Sequence, residues 1–189
     1  IFENRGRRTL NEASTVEEFL GLRADLGAFA LGSYFAELLE TVSAEEYPDP
    51  PVLQLGLNSL YALSRALCPP EQIKAVFELR LMCLAGYEPD LSCCARCGAP
   101  EPVEPWLSLR GGAVYCAQCR GASSSAVTPL LPETLAAMRH VVNADPKRIF
   151  SFTLGDAGRK QLAHVCEDYT ATQLERGFAS LDYWKKVKD

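Results

Sequence analysis

Two cysteine pairs near the middle of the chain have the spacing that most directly predicts chemistry. Cys94 and Cys97 form one C-x2-C pair, and Cys116 and Cys119 form a second pair after 18 intervening residues. Such a pair can turn both sulfurs to one side of a tight loop, and two pairs supply the four thiolates that structural Zn²⁺ prefers. The sequence therefore predicts a four-cysteine zinc site with no open coordination position and a structural role.

The segment between the two pairs has the pattern of a β-hairpin. Residues 106–109 alternate like a strand, residues 110–112 (Arg-Gly-Gly) form a turn signal, and residues 113–115 return as a second strand. Gly98, directly after the first pair, can adopt the positive φ that such a loop usually demands. We expect a zinc-ribbon-like hairpin, inserted as residues 91–126.

Two alternatives are a pair of disulfides and thioredoxin-like redox chemistry. The redox alternative fits less well, because a redox C-x2-C motif occurs as a single pair within a βαβ pattern. Cys93 could replace Cys94 as a ligand, but its spacing to Cys97 fits a tight loop less well. The remaining cysteines lie in largely apolar helical contexts and are expected to be buried thiols: Cys68, Cys83 and Cys166. This usage is typical of a reducing compartment.

Helices must position the hairpin, and apolar residues on both sides of it repeat at helical spacing. Ser14 and Glu17 form a capping signal that predicts a first helical segment. Longer helices are predicted at about residues 31–42, 53–67, 71–84 and 132–142 and from residue 156 onward. The predicted fold class is mainly α, with a helical bundle-like domain of residues 13–90 and 127–189.

The helix at about residues 71–84 is apolar on nearly all sides, which predicts a central position in the bundle. Lone buried charges are costly. We therefore expect Glu78 and Arg80 to be paired or to lie at the rim of this helix.

Composition restricts the classes of function. The chain has 189 residues, of which 48% are hydrophobic and 23% charged, as in ordinary soluble proteins. The sequence contains no run of 18 apolar residues, so it predicts no membrane-spanning helix. The net charge of -5 argues against nucleic-acid binding by the whole surface, so any such binding must be local. No catalytic constellation surrounds His140 or His164, and we expect no enzyme.

The N-terminal segment is locally basic. Residues 1–12 contain Arg5, Arg7 and Arg8 and have the pattern of a single strand in which Gly6 allows a bulge or bend. Such a strand could face phosphate groups, or it could be a solvated edge strand that its charges protect from pairing. Because the chain starts without Met, we expect this strand to be the remnant of a preceding domain.

Six segments, taken in order, are similar to a known family. They are FENRGRRTL (2–10), YFAEL (34–38), VFELRL (76–81), AGYEPDL running into CARCG (85–98), GGAVYC (111–116) and FASL (178–181). Together they resemble the RecO family of bacterial DNA repair and recombination mediators, over essentially the whole chain.

This resemblance implies both a fold and a function. Family members have an N-terminal OB-fold followed by a helical domain with a zinc knuckle, so residues 1–12 would hold the last OB-fold strand. They bind single- and double-stranded DNA, anneal complementary strands, and bind the acidic tail of the single-stranded-DNA-binding protein. With RecR they help to load RecA. On this basis Arg5, Arg7 and Arg8 are expected to contact DNA, since OB-folds bind single strands through basic grooves.

The tail-binding site belongs to the helical body in this family, and it needs an apolar pocket beside a cation. Lys74 and Arg80 on the central helix are the candidates. The resemblance also implies a cytoplasmic, nucleoid-associated bacterial protein. Two other classes stay open: a zinc-stabilised interaction module with no DNA role, and a thiol redox enzyme.

Overall fold

The computed structural model of the protein describes residues 2–4, 7–44 and 47–188. Its helices are α1 (Leu20–Ala24), α2 (Leu26–Val42), α3 (Pro50–Ser64), α4 (Pro70–Leu84), α5 (Pro132–Asn143), α6 (Asp156–Leu174) and α7 (Ala179–Val187). Its strands are β1 (Phe2–Asn4), β2 (Arg7–Thr9), β3 (Trp106–Ser108), β4 (Ala113–Tyr115) and β5 (Val127–Pro129). The described chain is mainly helical with a small inserted sheet, which confirms the predicted fold class. None of these described helices is long and apolar enough to cross a bilayer.

Aspartates start the two helices that carry the first apolar stripes. The Asp25 side chain accepts a hydrogen bond from the Ala28 N–H at 2.6 Å, and Asp49 accepts one from the Val52 N–H at 3.1 Å. These bonds satisfy backbone donors that a helix start leaves without partners. The stripe predicted on α2 is buried in the core at Leu31, Tyr34, Phe35 and Leu38.

The helix start predicted at Ser14 is wrong, because the chain becomes helical only at Leu20. Glu17 accepts a hydrogen bond from the Phe19 N–H at 3.1 Å, and Phe19 has a left-handed backbone with φ 47°. Residues 13–18 are exposed. A capping signal alone does not stabilise a short helix that has no apolar face to bury.

Helix α4 lies at the centre of the bundle, as predicted. It packs against α3, α5 and α6, and residues 72–79 are all buried. The ring of Phe77 stacks on that of Phe35 from α2, with centroids 4.2 Å apart. Helix α7 closes the bundle against α2 and buries Trp184.

The hairpin predicted between the cysteine pairs is present, and a third strand extends it. Strand β3 pairs antiparallel with β4 on one side and with β5 on the other. Strand β5, which pairs with β3, was not predicted. Leu107 and Val114 are fully buried and belong to the same apolar core as the helices.

The N-terminal segment forms two short strands where one was predicted. Strands β1 and β2 pair antiparallel, with Asn4 opposite Arg7. The sequence between these two residues contains a glycine, which tight hairpin turns favour. The assignment of residues 1–12 to an OB-fold stays a prediction.

Candidate metal centre and polar core

The four predicted metal ligands converge on one point. The sulfurs of Cys94, Cys97, Cys116 and Cys119 all lie within 4.8 Å of one another. Cys116 Sγ lies 3.9 Å from Cys94 Sγ and 3.9 Å from Cys97 Sγ. A tetrahedral metal with metal–sulfur distances of about 2.3 Å places its sulfurs about 3.8 Å apart. The four thiols are therefore arranged to bind one metal ion.

Backbone hydrogen bonds close the loop that carries the first pair. The Cys94 N–H donates to the Ala99 carbonyl at 2.8 Å, and the Gly98 N–H donates to the Cys94 carbonyl at 2.8 Å. Gly98 has φ 73°, the conformation expected of it in this loop. The Ala95 N–H donates to the Val114 carbonyl at 2.8 Å, which joins the loop to β4.

The second pair follows β4 directly and turns without a glycine inside it. The N–H groups of Cys119 and Arg120 both donate to the Cys116 carbonyl, at 2.9 and 3.0 Å. The Arg120 guanidinium lies 4.3 Å from the centroid of the Trp106 ring. The strand that ends at Tyr115 therefore places the second pair opposite the first.

Hydrogen bonds to sulfur favour a thiolate at Cys94. Burial opposes charge on this thiol, but the backbone N–H groups of Cys97, Cys116 and Arg96 outweigh it and lower its pKa to about 6. The hydrogen bond with Cys116 is the largest cause that raises the pKa of Cys119 to about 12. Binding of a cation would release the remaining protons, because the thiolate is the form that ligates a metal.

The other four cysteines lie outside this cluster. The Cys93 sulfur is 3.7 Å from Ser92 Oγ and is not among the four clustered sulfurs, and the choice of Cys94 as the ligand stays a prediction. Burial raises the pKa of Cys68 to about 11, that of Cys83 to about 12, and that of Cys166 well above its ordinary value. A thiol redox enzyme needs an accessible cysteine with a low pKa, and these three buried or half-buried thiols do not supply one.

Polar side chains of α6 bind the hairpin and the segment that follows α4. The Tyr169 hydroxyl donates to the Tyr87 carbonyl at 2.9 Å, and Gln173 Nε2 donates to the Leu109 carbonyl at 2.7 Å. Arg139 of α5 donates to carbonyl groups next to the first cysteine pair. The hairpin is thus anchored on α6 and the loop of the first cysteine pair on α5.

Lys74, one of the two predicted partner-binding residues, lies inside the bundle. Its side chain is 1% exposed, and Nζ lies 2.9 Å from both Glu78 Oε1 and Glu167 Oε2. Nζ also donates to the Ala163 carbonyl at 3.2 Å, and the Tyr34 hydroxyl donates to Glu78 at 2.8 Å. Glu78 is therefore paired, as predicted. A partner's carboxylate could reach Lys74 only by displacing Glu78 or Glu167.

The two carboxylates of this network differ in pKa. Burial raises the pKa of Glu78, and the nearby Lys74 ammonium only partly offsets it. Burial also acts on Glu167, but Lys74 and Lys185 outweigh it and lower the pKa of that carboxyl. Burial disfavours the Lys74 ammonium, yet the two carboxylates raise its pKa above the usual value. Lys74 therefore stays protonated throughout the range in which the carboxylates titrate.

Arg80, the second predicted partner-binding residue, lies at the rim of α4, as expected. Its Nη1 donates to the Val141 carbonyl at 3.2 Å and also to the Val142 carbonyl. Arg80 borders a cavity of about 70 Å³ whose apolar walls include Leu55 and Ile149. A guanidinium beside an apolar cavity is the arrangement that recognition of a peptide carboxylate needs.

The arginines predicted to contact DNA lie in the N-terminal segment. Arg7 and Arg8 belong to β2, where they pair with Asn4 and Glu3. Arg5 lies outside the described residues. The DNA-binding role of all three stays a prediction.

Three residues that build these sites were not predicted: Arg139, Glu167 and Gln173. Each lies on a predicted helix at a position that the apolar pattern leaves polar. Periodicity does not distinguish a polar side chain that anchors another element from one that faces solvent. Their partners are also far away along the chain, since 48 residues separate Arg139 from Leu91 and 64 separate Gln173 from Leu109. Only the folded structure identifies them.

Comparison with known proteins identifies the family. The family described as Recombination protein O C terminal matches residues 23–182. The chain belongs to the RecO family. The DNA repair protein RecO of Acetivibrio thermocellus is 29% identical over 187 residues, covering 99% of this chain and 74% of the relative. The protein of the same name from Desulforudis audaxviator is 30% identical over 187 residues, covering 97% of this chain and 73% of the relative.

The family match confirms the resemblance and covers the sites described above. Residues 23–182 of this RecO-family chain include the four clustered cysteines and the network around Lys74. The basic residues 1–12 lie before the matched region. The DNA repair protein RecO of Alkaliphilus metalliredigens nevertheless aligns over 99% of the chain, at 27% identity.

Proposed function

We propose that this RecO-family chain acts in DNA repair as a recombination mediator, by binding DNA and proteins and without catalysis. The observation that carries the proposal is the family match over residues 23–182, supported by relatives named DNA repair proteins. In this role the chain binds single- and double-stranded DNA and anneals complementary strands. With RecR it promotes the loading of RecA, at the nucleoid in the bacterial cytoplasm.

The metal that we propose for the cysteine cluster is Zn²⁺. Tetrahedral sets of four sulfurs are typical of zinc and of iron–sulfur centres. Two C-x2-C pairs at the ends of a short hairpin favour zinc. Four cysteine ligands leave no open position, so the ion has a structural role. Elemental analysis of the purified protein should find stoichiometric zinc, whereas iron together with inorganic sulfide would contradict the assignment.

Local DNA binding is proposed for Arg5, Arg7 and Arg8, since the chain as a whole has a net charge of -5. Replacing all three by alanine should lower the slope of log binding constant against log salt by about 2 for a single strand, because each lost phosphate contact removes about 0.7. The measurement is the fluorescence anisotropy of a labelled oligonucleotide over a series of salt concentrations.

A matched control removes the same charge from the helical body. Lys147, Lys160 and Lys186 are exposed, and their replacement by alanine should leave the salt slope nearly unchanged. A slope that falls by much less than about 2 in the arginine variant would contradict the assignment. An equal fall in the lysine variant would show that the binding has no preference for the N-terminal segment.

Arg80 is the proposed anchor for the acidic tail of the single-stranded-DNA-binding protein. It borders an apolar cavity, whereas Lys74 is enclosed by two carboxylates. The cavity of about 70 Å³ is smaller than the roughly 150 Å³ that holds a benzene ring. An aromatic side chain of the tail therefore enters only if the walls of this cavity move apart.

Titration with a fluorescent peptide that copies this tail tests the assignment. We expect saturable binding at low and moderate salt, and no comparable binding of a peptide that lacks the terminal aromatic residue. Arg80→Gln should weaken binding roughly 10- to 100-fold, the value of a hydrogen bond to a charged group. Arg159→Gln, which removes a surface arginine paired with Asp156, is the control. No binding at either salt concentration would contradict tail recognition by this chain.

A zinc-stabilised interaction module with no DNA role is the second candidate, and the acidic net charge favours it. In that case the protein would neither bind nor anneal DNA at low salt. An annealing assay with two complementary labelled oligonucleotides separates the two functions, because only the mediator should accelerate the appearance of duplex.

A further inference from the structure

Arg139 on α5 binds the loop that carries the first cysteine pair. Its Nε donates to the Leu91 carbonyl at 2.7 Å, and Nη2 donates to the carbonyls of Ser92 at 3.2 Å and Pro100 at 2.7 Å. Nη1 donates to the Glu101 carboxylate at 2.9 Å. One side chain thus binds four acceptors from two separate stretches of chain.

These stretches are the two ends of the metal-binding loop. Residues 91–92 precede Cys94, and residues 100–101 follow Cys97. The donors of a guanidinium form a rigid, planar fork, so they hold both ends in a defined geometry. The Arg139 side chain is only 23% exposed, and hydrogen bonds to a charged donor are about twice as strong as neutral ones. They add to the backbone hydrogen bonds that close the loop itself, and they fix both of its ends to α5.

The guanidinium is presented from a rigid part of the bundle. Helix α5 packs against α4 and α6, and the Asn143 side chain donates to the Arg139 carbonyl at 2.8 Å. Arg80 binds the carbonyls at the end of the same helix. Positions that a packed helix supports are more precise than positions on loops.

We propose that Arg139 is a positioning residue for the metal. By fixing both ends of residues 91–101 on α5, it preorganises Cys94 and Cys97 and couples occupancy of the cysteine cluster to the helical bundle. This inference rests on the proposed metal-binding function of the four cysteines. Groups behind the ligands of a metal typically change its affinity by about 10- to 100-fold.

Direct measurement of zinc affinity tests the proposal. The dissociation constant of the zinc-loaded full chain is measured by competition with a chromophoric chelator. Arg139→Gln should raise it by about 10- to 100-fold, and Arg139→Lys, which keeps the charge but not the fork, should give an intermediate value. Glu101 is 85% exposed, so Glu101→Gln should raise it at most about fivefold. The absorption spectrum of Co²⁺-loaded Arg139→Gln should retain the tetrahedral thiolate bands, which shows that all four ligands are intact.

Gln173→Ala is the matched control, because Gln173 also joins the bundle to the metal-binding sheet but binds the hairpin turn. It should leave the zinc affinity within about fivefold of that of the unsubstituted chain. Equal affinities of Arg139→Gln and the unsubstituted chain would overturn the proposal, as would an equal loss in Gln173→Ala. If Arg139→Gln does not fold, Arg139→Lys carries the same test. A lack of zinc binding by the unsubstituted chain would overturn the metal function itself, and with it this inference.

Discussion

Removal of the Lys74 ammonium should strongly destabilise the fold, because it leaves a buried carboxylate without its cation. In Lys74→Met the aliphatic volume is largely kept, while Glu78 stays 0% exposed and retains the hydrogen bond from the Tyr34 hydroxyl. Deletion of one partner of a buried ion pair costs about 3–5 kcal/mol. For a chain of this length, the loss corresponds to a fall in Tm of roughly 6–20 °C.

A double variant shows whether the stranded carboxylate is the cause. Replacement of both partners by apolar groups of similar volume is often neutral, so Lys74→Met combined with Glu78→Met should be more stable than Lys74→Met, by about 2 kcal/mol. The remaining deficit of about 1–3 kcal/mol comes from the Tyr34 hydroxyl, which loses its acceptor. Urea unfolding followed by circular dichroism at pH 7 gives the free energy of unfolding for each chain.

The pH dependence of Lys74→Met gives a second readout. Without the ammonium, the pKa of Glu78 in the folded state rises further above its ordinary value of 4.5. The folded state of this variant then binds more protons than the unfolded state, so its deficit should shrink as the pH falls towards 4.5.

The reasoning is refuted if Lys74→Met lies within about 1 kcal/mol of the unsubstituted chain, or if the double variant is as unstable as the single one. If the destabilisation is observed, then a Lys74 variant that fails to bind a partner does so because it is unfolded, and the failure is no evidence of a direct contact. A role of Lys74 in partner binding could then be tested only in a background that keeps Glu78 neutral.

Changes elsewhere test the metal, the acid response and the backbone. Cys97→Ser and Cys116→Ser should each release the metal and lower the Tm; stoichiometric zinc in both variants by elemental analysis would contradict the ligand assignment. The lowered pKa of Glu167 gives a stability contribution that is present above pH 4.5 and lost as the pH falls further. Glu167→Gln should therefore flatten the stability–pH curve from urea unfolding in this range, and an unchanged curve would contradict the role. Gly112 and Gly86 both have positive φ, a conformation that costs about 1–2 kcal/mol in other residues. A Cβ added at Gly112 would lie 3.0 Å from the buried Tyr169 hydroxyl of α6, whereas a Cβ added at Gly86 would meet no atom within 4 Å. Urea unfolding should thus show a larger loss for Gly112→Ala than for Gly86→Ala; equal losses would contradict this.

The cysteine cluster and most of the helices could be predicted because their signals are local. Each C-x2-C pair turns within one loop, and the hairpin between the pairs has its own turn residues. The apolar stripe on α2 repeats at helical spacing, α4 is apolar on nearly all sides, and the bundle buries both. A local sequence pattern predicts the structure correctly when the residues that interact are also neighbours along the chain.

The rest could not be predicted, because it depends on pairings between distant segments. Lys74 looks like an available cation in the sequence, but Glu167 on α6 neutralises it inside the bundle. Strand β5 exists only because it pairs with β3. The capping signal at Ser14 failed for a related reason, since residues 13–18 are exposed and bury no apolar face. In each case tertiary contacts, which no local pattern encodes, decide the outcome.

The metal-binding sheet shares its core with the helical bundle, and this links the two proposed functions. A sheet of three short strands cannot bury a core alone, and here Leu107 and Val114 pack into the helical core while the cysteines hold the opposite end. The Asp90 N–H donates to the Gly112 carbonyl at 2.7 Å, so the segment that follows α4 is joined to the turn of the hairpin. Loss of the metal should therefore loosen the connection between the sheet and α4, the helix that also carries Arg80. Peptide binding at Arg80 should accordingly weaken when a chelator removes the metal. Unchanged peptide affinity in the metal-free chain would show that the two sites are independent.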